Sequence, residues 1–305
     1  MAGIIDMWAP IVPTAEMVKH IEGNFAKEML GYLRIFSNIP VNENMFTTYI
    51  ANFAGGVPLE RFVAIMDAAG IERSLITGFD EASSVQSTFV PNRLIAEIAK
   101  AYPDRFIPFA GIDIFKGMAA VREVERLIKE EGFRGVSLRP FMIGLPPEDR
   151  RYYPIYVKCI ELGVPVSIHA SANWSQMRTN DLAHPSHFDT VACDLPELRM
   201  ILSHGGYPWV LEAVMLAWKH PNVYLELAAH RPKYFSLPGT GWEPLLRFGN
   251  TVIQDKVLFG TGSFLLGRSP VDIVKEFKTL PLKPEIMEKW LYQNAQAVFD
   301  GVLNS

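Results

Sequence analysis

The sequence predicts a single (β/α)8 barrel over residues 1–305. Eight short apolar segments have the length and composition of buried parallel strands. Helical patterns separate nearly all of them, and this alternation requires a parallel sheet with right-handed crossovers. Eight such units close into a barrel. The alternative, a doubly wound open sheet, usually has a glycine-rich phosphate loop after its first strand, and here DMWAPIVP has none.

The predicted strands and helices follow one another regularly. In chain order the strands are GIIDMWA (3–9), RSLITGF (73–79), RFIPFAGID (105–113), RGVSLRP (134–140), VPVSIHA (164–170), LRMILSH (198–204), NVYLELA (222–228) and KVLFGTG (256–262). The intervening helical segments are residues 59–69, 91–102, 118–132, 152–163, 186–197, 207–220 and 241–254. Glycine residues stop two of these helices, at Gly70 and Gly132. Helices within residues 270–305 are expected to pack on the outside.

One connection is much longer than the others. Residues 10–58 separate the first strand from its helix, whereas a βα loop typically has about 2 to 6 residues. An insertion on the catalytic face of a barrel usually forms a lid or a subunit contact. We therefore expect a lid over the site, and a homodimer contact is the alternative role.

Composition excludes several classes of partner. The net charge is −4 without a basic cluster, which argues against nucleic acid and anionic membranes. No apolar run is long enough to cross a membrane, and the first residues lack the pattern of an export signal. Both cysteines lie in helical patterns and are expected to be reduced. These features favour a cytoplasmic protein.

Polar residues at the ends of the strands predict the active site, because α/β barrels place their chemistry there. His169 and His204 end the fifth and sixth strands, and an imidazole with a pKa near 6.5 suits proton transfer at neutral pH. Glu226, on the seventh strand, is the third predicted catalytic residue. The alternative for each is a structural role in the core, and Glu226 is also a candidate to pair with Arg139 or Arg231.

The remaining candidates predict that a carboxylated cyclic compound binds. Arg139 ends the fourth strand and is a candidate bidentate clamp for a carboxylate. His230 and Arg231, beyond the seventh strand, would add to a positive pocket. The aromatic faces expected to contact a planar ligand belong to Trp8, Trp174 and Tyr207.

One segment carries a family resemblance. HPSHFDTVACDLPELRMILSHGGYPW (184–209) resembles the sixth-strand region of the amidohydrolase superfamily, in the branch of aminocarboxymuconate-semialdehyde decarboxylase and the resorcylate decarboxylases. AYPDRFIPFAGID, VSIHA, LFGTG and YQNAQAVF add to it, so the resemblance extends from residue 3 to about residue 300. It implies a metal-dependent-hydrolase type of barrel, which is often dimeric.

The metal ligands that this resemblance implies are incomplete. The family opens with Asp-x-His-x-His, where this chain has DMWAP (6–10), and it ends the eighth strand with Gly-Ser-Asp, where this chain has GTG (260–262). His169 and His204 remain, but a catalytic zinc site generally has three protein ligands. We therefore expect no tightly bound metal. The alternative is one divalent ion held by His169 and His204 with Asp6 or Glu226.

These observations predict a hydrolase that acts on a lactone-like or aromatic-derived acid without a tightly bound metal. Arg139 would anchor the carboxylate, and His169 or His204 would activate water. Arg231 or His230 would stabilise developing negative charge. One alternative is a metal-dependent lyase, a decarboxylase or hydratase of an aromatic-derived acid. Another is a catalytically inactive relative that binds a partner.

Overall fold

A computed structural model describes residues 3–9, 58–85, 87–173, 175 and 178–300. The predicted insertion at residues 10–58 therefore lies outside the described residues except for Pro58. Trp174 also lies outside them. The roles predicted for these parts of the chain stay predictions.

Eight parallel strands form the main sheet, in the order β1-β2-β5-β6-β7-β8-β9-β10. They are β1 (Ile4–Asp6), β2 (Ile71–Thr77), β5 (Phe106–Gly111), β6 (Gly135–Leu138), β7 (Val166–His169), β8 (Met200–Ser203), β9 (Val223–Glu226) and β10 (Val257–Leu258). The first strand is joined to the chain around β10 by backbone bonds from Met7 N to Phe259 O (2.8 Å) and from Gly262 N to Trp8 O (3.1 Å). The predicted (β/α)8 barrel fold is confirmed.

The second predicted strand ends earlier than expected. After β2 the chain forms an antiparallel hairpin of β3 (Phe79–Glu81) and β4 (Ser87–Val90) around the short helix α2 (Ala82–Val85). No pattern in the sequence predicts this hairpin. It has a consequence for the site, because Glu81 on β3 is buried.

Helices connect the strands in the order that the sequence predicts. Besides α2 they are α1 (Leu59–Ala69), α3 (Asn92–Ala101), α4 (Met118–Glu131), α5 (Pro140–Ile143), α6 (Tyr153–Glu161), α7 (Pro185–Asp194), α8 (Val210–Lys219), α9 (Glu243–Gly249), α10 (Ser263–Leu266), α11 (Pro270–Phe277), α12 (Pro284–Glu288) and α13 (Asn294–Val298). A π-helix, Lys289–Gln293, joins the last two. Among the described residues, no helix has both the length and the hydropathy required to span a membrane.

The helices pack through apolar stripes. Helix α1 buries Phe62 and Met66, and it ends at Gly70, whose φ of 73° is the left-handed conformation that glycine adopts without strain. At the other end of the chain, the amide of Asn294 donates to the carbonyls of Gln254 (2.9 Å) and Val257 (2.8 Å). These bonds hold the C-terminal helices against the start of β10.

Candidate active site

The structure brings His169 and His204 together at the C-terminal ends of two neighbouring strands. Strands β7 and β8 are parallel, with His169 opposite Ser203, so His204 lies one residue beyond this pair. The two imidazole rings are 5.0 Å apart between centroids, at an angle of 67°. Both residues are buried. The structure therefore brings these two predicted site residues together at the mouth of the barrel.

His204 has a defined orientation. It begins the 3-10 turn His204–Gly206 with a φ of 70°, and its Nδ1 lies 3.1 Å from the carbonyl oxygen of Ala228. A carbonyl only accepts, so Nδ1 carries the hydrogen and the lone pair is on Nε2. Burial lowers the pKa of His204 to about 4, so the ring is neutral at pH 7. A neutral imidazole that donates to a carbonyl is the usual form of a metal-binding histidine.

His169 has a nitrogen without a hydrogen-bond partner. Its Nδ1 is buried and unpaired, while Nε2 lies 3.4 Å from the hydroxyl of Ser171. The ring of Phe141 packs against the imidazole at 4.6 Å between centroids. Burial, the neighbouring titratable ring of His204 and the positive charge of Arg139 hold the pKa of His169 well below its usual value. The unpaired nitrogen of this neutral ring is available to a ligand.

Glu226 supports the turn that carries His204. The carboxyl is fully buried at the end of β9. It accepts backbone hydrogen bonds from Ala228 and from His204, the latter at 3.3 Å. Its Oε2 is 3.9 Å from Nδ1 of His204. Burial raises the pKa of Glu226 to about 8, so the carboxyl is mostly protonated at pH 7.

A glycine makes room for this carboxyl. A Cβ placed on Gly260 would lie 1.9 Å from Oε1 of Glu226, so a larger residue at position 260 would displace it. The small size of Gly260, in the GTG sequence at the end of the eighth predicted strand, is thus required by Glu226 on the seventh predicted strand.

Asp6 joins the first strand to the chain beyond β10. Its Oδ1 accepts the backbone N–H of Thr261 at 2.8 Å, and its Oδ2 accepts the Thr261 hydroxyl at 2.6 Å. The N–H of Trp8 adds a third bond at 3.2 Å. Burial raises the pKa of Asp6 to about 6, although these bonds oppose the shift. Both carboxylate oxygens of Asp6, a candidate ligand in the metal alternative, are therefore engaged in hydrogen bonds within the protein.

The position of the family's eighth-strand aspartate is closed by backbone. Gly262 has a φ of 54°, and a Cβ there would lie 2.2 Å from the nitrogen of Ala229. Ala229 itself has a φ of 64°. An aspartate at position 262 would need both a strained backbone and displacement of this loop. The loss of this ligand is therefore built into the local fold.

Arg139 already has a carboxylate partner. Its guanidinium forms an ion pair with the buried carboxyl of Glu81 and lies 3.6 Å above the ring centroid of Phe79. Burial raises the pKa of Glu81, and Arg139 opposes this shift. The role predicted for Arg139, anchoring a substrate carboxylate, stays a prediction, because Glu81 would have to share the guanidinium.

Arg231 and His230, adjacent in the sequence, have different surroundings. Arg231 forms an ion pair with Glu276 of α11, with Nε 3.3 Å from Oε2. His230 lies among aromatic rings, 5.1 Å from Tyr207 and 5.0 Å from Trp242 between centroids. Burial and the nearby His204 lower the pKa of His230 to about 3. At neutral pH this ring adds no positive charge to the predicted pocket.

An aromatic wall borders the histidines. Tyr207 stacks on Trp242 at 5.4 Å with an angle of 13°, and Trp8 meets His204 edge-on at 5.2 Å. Trp8 and Tyr207 were predicted from the sequence, whereas Trp242, Phe141 and Ser171 were missed. The signal for Trp242 was its place in an aromatic-rich loop after the seventh strand. No local pattern marked the other two.

The mouth of the barrel offers two clear metal ligands within the described residues. Among the described residues, one group of three His, Cys, Asp or Glu side chains has its ligand atoms within 4.8 Å of one another. This group is Asp189, Cys193 and His220, and it lies outside the mouth. Further coordination positions on an ion at His169 and His204 would therefore belong to water, substrate or residues in the rest of the chain.

Comparisons of the sequence identify relatives. The model of an amidohydrolase family matches residues 52–301. A 2-keto-4-carboxy-3-hexenedioate hydratase of a Sphingobium species is 32% identical over an alignment of 154 residues. The match covers 41% of this chain and 44% of the relative. A 2-amino-3-carboxymuconate-6-semialdehyde decarboxylase of Dictyostelium discoideum is 24% identical over 133 residues, 38% of this chain and 36% of the relative. The chain thus spans less than half the length of these curated relatives.

Solved structures share the fold over nearly the whole chain. An uncharacterized TIM-barrel protein of Bordetella bronchiseptica has a TM-score of 0.75 and 28% identity, covering 99% of both chains. The 5-carboxyvanillate decarboxylase of Novosphingobium aromaticivorans, in complex with manganese, has a TM-score of 0.68 and 17% identity over 97% and 96% of the two chains. The 2,6-dihydroxybenzoate decarboxylase from Rhizobium has a TM-score of 0.67 and 16% identity over 98% and 99%.

These relatives correct one prediction and favour an alternative to another. The expectation that the site has no tightly bound metal is wrong, because carboxyvanillate decarboxylase structures with this fold contain manganese. The prediction was based on the number of missing ligands. It did not take into account that the two remaining imidazoles lie side by side as neutral rings, the form in which histidine binds a metal. The named relatives are decarboxylases and hydratases, so they fit the lyase alternative better than the hydrolase prediction.

Proposed function

The chain belongs to the amidohydrolase family, and from this premise we propose that it is a metal-dependent lyase. It decarboxylates or hydrates a carboxylic acid derived from an aromatic ring. The observation that carries the proposal is the pair of neutral imidazoles at the barrel mouth, with Nδ1 of His169 unpaired and Nε2 of His204 left free by the bond to Ala228. The names of the relatives support this class of reaction.

His169 and His204 would hold the divalent ion. Their lowered pKa values keep both rings neutral, so they do not repel a cation at pH 7. A bound divalent ion would supply Lewis-acid activation of a substrate carboxylate or of water. The carboxyl of Glu226 fixes the backbone of His204 and thereby holds its ring in place.

The surrounding residues suit a planar acid. The stacked rings of Tyr207 and Trp242 form one wall, and the ring of Trp8 contacts His204 edge-on. His230 contacts both wall residues as a neutral ring. Arg139 lies near enough to His169 to lower the pKa of that imidazole. Its positive charge would also favour an anionic substrate.

A metal-dependent activity assay tests this proposal. Protein stripped with a chelator and then loaded with Mn²⁺ or Zn²⁺ would be assayed on 5-carboxyvanillate, 2,6-dihydroxybenzoate and 2-keto-4-carboxy-3-hexenedioate. We expect release of CO2 or addition of water, dependent on the ion. The activity should be lost in His169→Asn and His204→Asn. The matched control for these two variants is His187→Asn, because His187 pairs with Glu148 instead of lining the mouth.

Other outcomes would support the earlier alternatives. Cleavage of a lactone by the stripped protein, without turnover of the three acids, would support the hydrolase prediction and contradict the lyase. Loaded protein that turns over none of these compounds, while binding one of them tightly, would support an inactive binding relative.

A further inference from the structure

A second group of metal-ligand side chains lies on the outside of the barrel. Asp189 and Cys193 are one turn apart on α7, and His220 directly follows α8. Their ligand atoms all lie within 4.8 Å of one another, and Nε2 of His220 is 2.6 Å from Oδ1 of Asp189. Since α7 leads into β8 and α8 leads into β9, this cluster is at the N-terminal ends of the strands. It is therefore on the face opposite His169 and His204.

A cation already sits in this cluster. The ammonium of Lys219 lies 2.7 and 3.0 Å from the two carboxylate oxygens of Asp189 and 3.9 Å from the sulfur of Cys193. Hydrogen bonds from His220 and Lys219 lower the pKa of Asp189. The Lys219 side chain is 53% exposed, so it can leave for solvent without a large rearrangement. The position thus favours positive charge and is open to exchange.

We propose that Asp189, Cys193 and His220 form a site for a thiophilic divalent ion such as Zn²⁺, which exchanges with the ammonium of Lys219. On binding, the Cys193 thiol releases its proton to solvent and the sulfur bonds to the ion. The Nζ–Asp189 hydrogen bonds break as Lys219 leaves. The hydrogen bond from Nε2 of His220 to Asp189 also breaks, and the proton of this ring moves to Nδ1, so that Nε2 offers its lone pair to the ion. Thiolate and carboxylate together balance the two positive charges of the ion. Sulfur, nitrogen and oxygen donors with one position left for water are a common zinc arrangement.

The ion would join two helices of the barrel. Helix α7 follows the strand that ends in His169, and α8 follows the strand and turn that carry His204. A site that bridges these helices would stabilise the part of the barrel beneath the candidate active site, without contact to it. This proposal does not depend on the proposed lyase activity.

Cobalt absorption gives a test that separates the two sites. Co²⁺ bound to a thiolate gives a sulfur-to-metal absorption band near the ultraviolet, and within the described residues the barrel mouth has no cysteine. The starting protein is the double variant H169N/H204N, which lacks the two imidazoles of the mouth. We expect this band to appear with about one equivalent of Co²⁺ and to disappear on addition of excess Zn²⁺.

Variants of the cluster assign the ligands. Cys193→Ser should abolish the band, whereas Cys159→Ser, at the other, buried cysteine, should retain it. Absence of the band in the starting protein, or its persistence in Cys193→Ser, would overturn the proposal. Zn²⁺ should raise the Tm of the starting protein but not that of Asp189→Asn or His220→Asn, and an equal rise in those variants would contradict their role.

Lys219→Met tests the exchange. Removal of the competing ammonium should tighten Zn²⁺ binding about tenfold or more, because a competing cation no longer has to be displaced. Unchanged affinity in this variant would show that Lys219 does not compete, and it would overturn the exchange step.

Discussion

The two sides of the barrel mouth have opposite characters. On the β7–β8 side, His169 and His204 lie next to each other as neutral rings, with Nδ1 of His169 unpaired and Nδ1 of His204 bonded to the carbonyl of Ala228. On the β1–β10 side, Asp6 is saturated by hydrogen bonds from Thr261 and Trp8, and Gly262 is in close contact with the backbone of Ala229. One side retains groups for chemistry, and the other serves to close the barrel.

The fold is thus retained although the ligands that the family resemblance implies on the first and eighth strands are missing. The carboxylate of Asp6 is buried, and its hydrogen bonds replace any need for a cation beside it. The imidazoles on the other side have no such saturation, so Nδ1 of His169 and Nε2 of His204 remain available to a ligand. Four predictions test this contrast.

The largest effect is expected at the imidazole side. His169→Asn or His204→Asn should lower the lyase kcat by a factor on the order of 1,000, because each removes a metal or proton-transfer group. Each should also lower the bound Mn²⁺ per protein, measured by elemental analysis after dialysis. Retention of both activity and metal in the two variants would refute the proposed site.

The next largest effect is expected at the closed side. Gly262→Asp restores the family's residue type, yet it should destabilise the protein by about 3 kcal/mol or more, since φ is positive and the new Cβ meets Ala229. Denaturant titration measures this loss, with Gly239→Asp as the control, because a Cβ on Gly239 meets no atom within 4 Å at a similarly positive φ of 78°. A Gly262→Asp variant as stable as the wild type would show that this side is open after all.

Removing the Asp6 carboxylate should have a somewhat smaller effect. Asp6→Ala leaves the N–H and hydroxyl of Thr261 without their acceptor, which we expect to cost about 2 kcal/mol of unfolding free energy. The Thr261→Val variant, which removes only the hydroxyl bond, should cost less. Equal stability of Asp6→Ala and wild type, measured by urea unfolding, would remove the basis for a structural role.

The smallest effect is a pH dependence that arises from Glu226. Its folded pKa of about 8 is above the ordinary value of 4.5, so the folded state binds the proton more tightly. This contribution to stability is fully present below pH 4.5 and is lost as pH rises through 8. Between about pH 6.5 and 8, the free energy of unfolding of metal-free protein should fall by roughly 1 to 2 kcal/mol, because half of the carboxyl is still protonated at pH 8.

Glu226→Gln separates this effect from other titrations. The lowered pKa values of His169 and His204 change the free energy of unfolding only below about pH 6.5. In that range these rings are neutral in the folded protein but protonated in the unfolded chain. The pH 6.5 to 8 interval therefore reports mainly on the carboxyl. The slope should flatten in Glu226→Gln, and an unchanged slope would contradict burial of a neutral Glu226.

Much of the fold and the centre of the site were readable from the sequence. Each of the eight strands is a run of apolar residues, and hydrophobic periodicity is a local signal. His169 and His204 end consecutive strands of a parallel sheet, so their proximity follows from that pattern alone. The departures at DMWAP and GTG were also visible in the sequence, although their meaning for metal binding was misjudged.

The charged partners were not readable. Arg139 was expected to be open to a substrate, but it pairs with Glu81 on a hairpin that no pattern predicted. Arg231 similarly pairs with Glu276, 45 residues further along the chain. Such pairs depend on the relative placement of loops and helices, about which hydrophobic periodicity carries no information.

The sequence by itself determined the order of strands and helices, because the apolar stripes that become buried are visible in it. It also determined the two histidines at the mouth, because each directly ends one of these apolar strands. Only the tertiary structure decided which polar groups remain available. It joined Asp6 to Thr261 across 255 residues and placed Asp189, Cys193 and His220 together around Lys219. The physical reason is that a buried polar group takes whichever partner the folded chain brings within hydrogen-bond distance, and that partner is usually distant in sequence.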